Sequence, residues 1–144
     1  MERKYNVGID SNSISMQIKI ATSGTCFTSA TLDLTGGQKI IKAESNSTSN
    51  GNITKTLIGK ASELNTYTLT ILTIVDFSAL PQEQIKAILT DTQTLKVNLS
   101  IGYIFGGGFS AEQTFDYDLD DYTLIASTNQ VIITKFIDFT NNKI

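Results

Sequence analysis

The sequence predicts an all-β fold: an antiparallel β-sandwich of jelly-roll or Ig-like type, with about eight strands and one short helix in a crossover. Three observations point there. Thr, Ser, Asn and Ile are abundant while charged residues make up 17% of the chain, below the usual share of about a quarter; β-branched residues favour strands, and Asn and Ser favour turns. Apolar and polar residues alternate with period two over most of the length. Turn signals recur at roughly 8–15 residue intervals. With 144 residues, a single proline and ten glycines, residues 1–144 fit one domain that buries about two thirds of its unfolded surface.

The first clear strand is 14–20, where Ile14, Met16, Ile18 and Ile20 interleave with Ser15, Gln17 and Lys19. Ala30, Leu32 and Leu34 repeat the pattern, Gly36-Gly37 follows, and a strand over 39–43 comes next. Paired glycines between strands predict a tight hairpin, because the favoured hairpin turns need positive φ. Residues 44–52 are polar and contain Asn50-Gly51, a surface loop or second turn. A strand over 53–58 and a short connection over 59–65 lead to the two strongest runs. Tyr67, Leu69, Ile71, Thr73, Val75 and Phe77 share one face, and so do Leu95, Val97, Leu99, Ile101, Tyr103 and Phe105. Between them Pro81, Glu83 and the spacing of Ile85, Ile88 and Leu89 predict a helix over 81–90. Strands over 115–119 and 122–126, a turn at Thr128-Asn129 and a last strand over 131–139 complete the count, with a frayed tail after it.

The run Phe105-Gly106-Gly107-Gly108-Phe109 invites a phosphate-loop reading. A P-loop needs a lysine after the glycines and a helix beyond it, and the next cation here is Lys135. Rossmann spacing is missing too. The glycines therefore read as a bend or turn joining two strands, with Phe105 and Phe109 packing on either side.

Composition excludes several functions. Net charge is −3 and the pI about 4.8, and the cations are scattered, which opposes nucleic-acid and anionic-membrane binding. No run is long enough to cross a bilayer as a helix, and the charged N-terminal stretch shows no Sec signal peptide. There is no histidine, hence no ordinary general base near neutral pH and no His-dependent triad. Cys26 is the only cysteine; no disulfide forms within the chain, a reducing cytoplasm is compatible, and the thiol reads as a small buried hydrophobe. Zinc lacks ligands. The expectation is a non-enzymatic chain without a resident cofactor.

Two positive readings remain. Asp116, Asp118, Asp120 and Asp121 form the densest acidic stretch. Placed at a strand end, with Asp76 or Asp91 from a neighbouring loop, they are a candidate Ca²⁺ site, although the EF-hand pattern is only half met. With Tyr103, Tyr117 and Tyr122 nearby, the alternative function is a ligand-binding module for glycan or Ca²⁺; against it, carboxylates at a strand end also block edge-to-edge pairing. The leading expectation is an interaction or structural protein, a subunit or accessory part of a larger assembly, acting through self-association or a protein partner. Its outer strand faces carry Thr, Ser, Asn and Gln with few charges and suit contact with other protein surfaces, including β-augmentation at an edge.

Overall fold

The computed structural model describes residues 2–108 and 110–141. Among these, ten strands form two sheets. The six-stranded sheet has the order β1 (Glu2–Asn6), β10 (Gln130–Thr140), β6 (Thr68–Asp76), β3 (Thr25–Asp33), β4 (Lys39–Glu44), and β9 (Tyr122–Ile125) also pairs with β10. The four-stranded sheet has the order β5 (Ile53–Lys60), β2 (Ser13–Thr22), β7 (Leu99–Gly106), β8 (Gln113–Phe115). Three helices complete the described chain: α1 (Ala61–Leu64), α2 (Gln82–Thr90) and α3 (Thr92–Asn98).

The period-two pattern translates directly into burial. In β6, Leu69, Ile71, Thr73 and Val75 are buried while Thr68, Thr70, Leu72 and Ile74 are half-buried on the other face. Residues Ile14, Met16 and Ile18 of β2 and Leu99, Ile101, Tyr103 and Phe105 of β7 join them in one core cluster drawn from both sheets. Phe105 sits at its aromatic centre, with ring centroids of Tyr5, Phe115 and Phe139 at 5.9, 6.2 and 6.0 Å.

Several expectations are corrected. The run 95–105 is not one strand: Thr92–Asn98 is helical and the strand begins at Leu99. Asp91 ends α2 and opens α3, accepting from the Gln93 amide at 3.1 Å and the Thr94 hydroxyl at 2.8 Å, as an N-cap does. Leu95 stays buried, but Val97 is 86% exposed. The crossover thus holds two helices where one was expected, and Pro81 precedes α2 as its N-cap instead of starting it. Residues 116–121 are not a strand; β8 ends at Phe115, and Leu119–Asp121 is a 3-10 turn. The Gly36-Gly37 connection has the expected positive φ values, 82° and 81°, but it is a five-residue link containing a 3-10 turn, not a two-residue hairpin. The sheets are not wholly antiparallel, because β1 pairs parallel to β10. Its sequence ERKYN lacks alternation, and Tyr5 is the residue that anchors it in the core.

The glycine run does join two antiparallel strands, β7 and β8. Gly107 and Gly108 have φ of 90° and 71°, a region costly for other residues. The chain also passes so close to Ser13 that a Cβ at position 107 would collide with its carbonyl oxygen. Tyr5 Oη fixes the turn by donating to the Gly107 carbonyl at 2.7 Å. Phe109 lies outside the described residues.

The loop between β4 and β5 carries the chain from one sheet to the other. Two asparagines there stand in for backbone. Asn50 accepts from the Cys26 amide at 2.7 Å and donates to the Gly24 carbonyl at 3.2 Å. Asn52 accepts from the Ile20 amide at 2.8 Å and donates to its carbonyl at 3.1 Å. Asn50 thus holds the start of β3 in one sheet, and Asn52 the end of β2 in the other.

Candidate functional site

Polar groups inside the core single out one region. Lys135 lies on β10 at a position whose same-face neighbours Val131, Ile133, Ile137 and Phe139 are all buried apolar residues, and its side chain is itself fully buried. A lysine there must be paired, because an unpartnered charge out of water is strongly unfavourable. Its Nζ donates to Asp118 Oδ2 and to Asp121 Oδ2, both at 2.8 Å. The Asp121 side chain is fully buried and that of Asp118 is 24% exposed.

The 3-10 turn brings the two carboxylates together. The Asp121 amide donates to the Asp118 carbonyl at 3.0 Å, and the Asp118 amide donates to Asp121 Oδ2 at 2.6 Å. Arg3 of β1 completes the cluster, donating from Nη2 to Asp118 Oδ1 at 2.7 Å. The hydrogen bond from Lys135 holds the Asp118 carboxyl below its ordinary value; partial burial opposes this and Arg3 reinforces it.

Tyr103 faces the cluster from β7, with Lys135 Nζ 6.0 Å from its ring centroid, the outer limit for a cation–π contact. Its hydroxyl is buried without a hydrogen bond of ordinary geometry. Burial first, and then the Asp121 charge, raise its pKa, with Thr73 near enough to oppose them. Thr73 instead shares a 3.3 Å contact with Thr28, whose amide donates to Ser45 Oγ at 2.9 Å.

The structure divides the four aspartates proposed for calcium into a pair on Lys135 and two exposed side chains. Asp118 and Asp121 are brought together, but their oxygens face Lys135 and Arg3. Asp116 and Asp120 are exposed; Asp116 borders a separate cavity of about 200 Å³ with Tyr117, Lys96 and Ser100. Asp76 accepts from the Ser78 amide and Asp91 caps α3. Among the described residues, no group of three or more His, Cys, Asp or Glu side chains could hold a metal ion. Of the three candidate tyrosines, Tyr103 and Tyr117 are buried. Tyr117 Oη donates to the Leu99 carbonyl at 2.8 Å and meets the half-buried Tyr122 edge-on; burial pushes its pKa up to about 12. Cys26 is half-buried and burial pushes its thiol up to about 11, a value that leaves it unreactive near neutral pH.

The residue that organises the site, Lys135, is not among the candidates the sequence suggested. Its signal is parity: it shares an odd-numbered register with four apolar residues of one strand.

Two surface features lie outside this cluster. A groove of about 360 Å³ is bordered by Asp33, Thr66, Tyr67 and Phe136, but the Asp33 carboxylate is taken by Thr70 and Lys39. The outer face of the six-stranded sheet carries apolar side chains in register. Phe27, Ile74 and Ile132 stand abreast on β3, β6 and β10, and Ile41, Thr31, Thr70 and Phe136 form a second row. Leu72 lies between the rows. Among the described residues no helix is long and apolar enough to cross a membrane. Comparison with protein families, with characterised proteins and with solved structures returns no match.

Proposed function

We propose that the two sheets form a β-sandwich of the jelly-roll or Ig-like kind that works without catalysis, as a subunit or accessory part of a larger protein assembly. The observation that carries this reading is the apolar outer face of the six-stranded sheet. Phe27 is 41% exposed, Ile41 61% and Phe136 36%, with half-buried Leu72, Ile74 and Ile132 among them. Contiguous apolar surface of this kind marks contact sites. The surrounding threonines, Thr31, Thr70 and Thr134, supply uncharged polar neighbours, and depletion of charge is the compositional mark of an interface centre.

The edges support contact through the face over strand addition. Edge strand β4 carries Lys39 and Lys42 and pairs with β3 through a register shift after Ala30. Edge strand β5 carries Lys55 and Lys60 and pairs with β2 through two shifts. Lysines and bulges are the devices that discourage edge-to-edge pairing.

Light scattering coupled to size exclusion, over a range of concentrations, tests the reading. The expected mass exceeds the 15.7 kDa of one chain and rises with concentration. In an Ile132→Lys variant, which changes only the outer face, it returns to the single-chain value while the circular dichroism spectrum is kept. A wild type that stays monomeric throughout, and whose melting temperature calcium or a sugar raises, would overturn it in favour of a ligand-binding module.

A further inference from the structure

We infer that Lys135 and Asp121 are the partners of an intramolecular isopeptide bond, with Asp118 as the proton carrier between them. The sequence places an amine where the strand pattern calls for an apolar side chain, and the fold then seats a carboxyl on it with water excluded from both. Lys135 and Asp121 side chains are each 0% exposed, and Nζ lies 2.8 Å from Asp121 Oδ2. Two groups held at contact distance by a strand and a closed turn react with a large proximity advantage. Withdrawing both charges from water is unfavourable, and condensation removes them: ammonium and carboxylate become a neutral amide.

The geometry distinguishes the two aspartates. Asp118 has one oxygen on Arg3 and the other on Lys135 and keeps 24% of its side chain exposed, so it can take up and return a proton, whereas the Asp121 side chain is closed off from water. Asp121 Oδ2 receives the backbone amide of Asp118 at 2.6 Å, a fixed donor on an oxygen that gains charge when an amine adds to Cγ. The step balances without any added reagent. The Lys135 ammonium passes one proton to Asp118, and the freed Nζ pair forms a C–N bond to Asp121 Cγ. The C–O bond to one carboxyl oxygen breaks. That oxygen takes the proton from Asp118 and a second from nitrogen, and leaves as water. Asp118 ends as it began. The product ties the turn before β9 to the middle of β10 and closes a covalent ring over residues 121–135.

Intact-mass spectrometry of the folded full chain decides the matter. The expected wild-type mass is about 18 Da below the sequence value, one water lost. After proteolysis, tandem spectra should join the peptide holding Lys135 to the one holding Asp121. Lys135→Arg keeps a cation that cannot condense in this way and should carry its full sequence mass. A wild type at full sequence mass overturns the inference, and so does a deficit that persists in Lys135→Arg or a link that maps to Asp118. The wild-type mass and the mapped link need no variant, so they decide the question even where Lys135→Arg fails to fold.

Discussion

Replacing Tyr103 by Phe should stabilise the protein, the reverse of what most core substitutions do. The ring and its packing stay, and only the hydroxyl goes. In the unfolded chain that hydroxyl is bonded to water; in the fold it is fully buried and has no hydrogen-bond partner among the described residues. Leaving such a group unsatisfied costs about 1–3 kcal/mol. The void left by one oxygen forfeits a few dispersion contacts of about 0.1–0.2 kcal/mol each. The net expectation is a gain of about 1 kcal/mol, which for a chain of this size raises Tm by roughly 3 °C. Urea unfolding followed by circular dichroism would read it as a higher midpoint at unchanged slope. Calorimetry gives the independent Tm. A loss of about 1 kcal/mol or more would refute the reasoning, because it would mean that the hydroxyl is bonded in solution, to Thr73 or to a trapped water. Thr73→Val, made alone and together with Tyr103→Phe, separates those cases: coupling between the two sites belongs only to the direct bond.

The glycine turn and the ion cluster yield two more tests. Gly107→Ala places a Cβ against the Ser13 carbonyl at a φ of 90° and should cost more than about 2 kcal/mol; Gly102→Ala, whose Cβ meets nothing nearer than Thr114 Cγ2 at 3.7 Å, should stay within about 0.5 kcal/mol, both read by urea midpoint. In chains whose Lys135 keeps its ammonium, the folded-state pKa of Asp118 lies below the ordinary 3.8, so its stabilising contribution is complete above that value and is lost as pH falls through the folded pKa. The urea midpoint should therefore be level from pH 7 to about 5 and fall below about 4, with a smaller acid loss in Asp118→Asn.

The strand pattern was legible wherever one face meets the core. β2, β6 and β10 could be read from parity alone, since a strand buried on one side has little freedom of register. Parity also misled. Leu95, Val97 and Leu99 alternate, yet the first two lie on a helix, because Asp91 and Thr94 form a local cap that outweighs a short alternating run. The same failure occurred at Asp116–Asp121, where alternation of acids and apolar residues is consistent with a strand and with a 3-10 turn alike. What selects the turn is Lys135, whose bonds to Asp118 and Asp121 span 17 and 14 residues. Such long-range partners leave no local trace. β1 was invisible for a related reason: its partner is the last strand, and its own residues carry no period. The core lysine leaves a trace of a different kind, a single charge in register with Val131, Ile133, Ile137 and Phe139, which a reading by charge clusters passes over.

The loop that bridges the sheets also bears on how the protein ages. Asn50 precedes Gly51, and an asparagine before glycine is prone to ring closure, in which the next backbone nitrogen attacks the side-chain carbonyl carbon and ammonia departs. Here both ends of the Asn50 amide are engaged, by Cys26 and Gly24, and Gly51 is packed against Cys26 and Ile20. Closure requires the loop to let go first, so the chemical lesion accumulates only in proportion to time spent open. The aspartate or isoaspartate that results has no hydrogen to offer the Gly24 carbonyl, so each event weakens the clasp that had protected it. Residue 50 is a clock that runs on local opening, and its product makes the next opening easier.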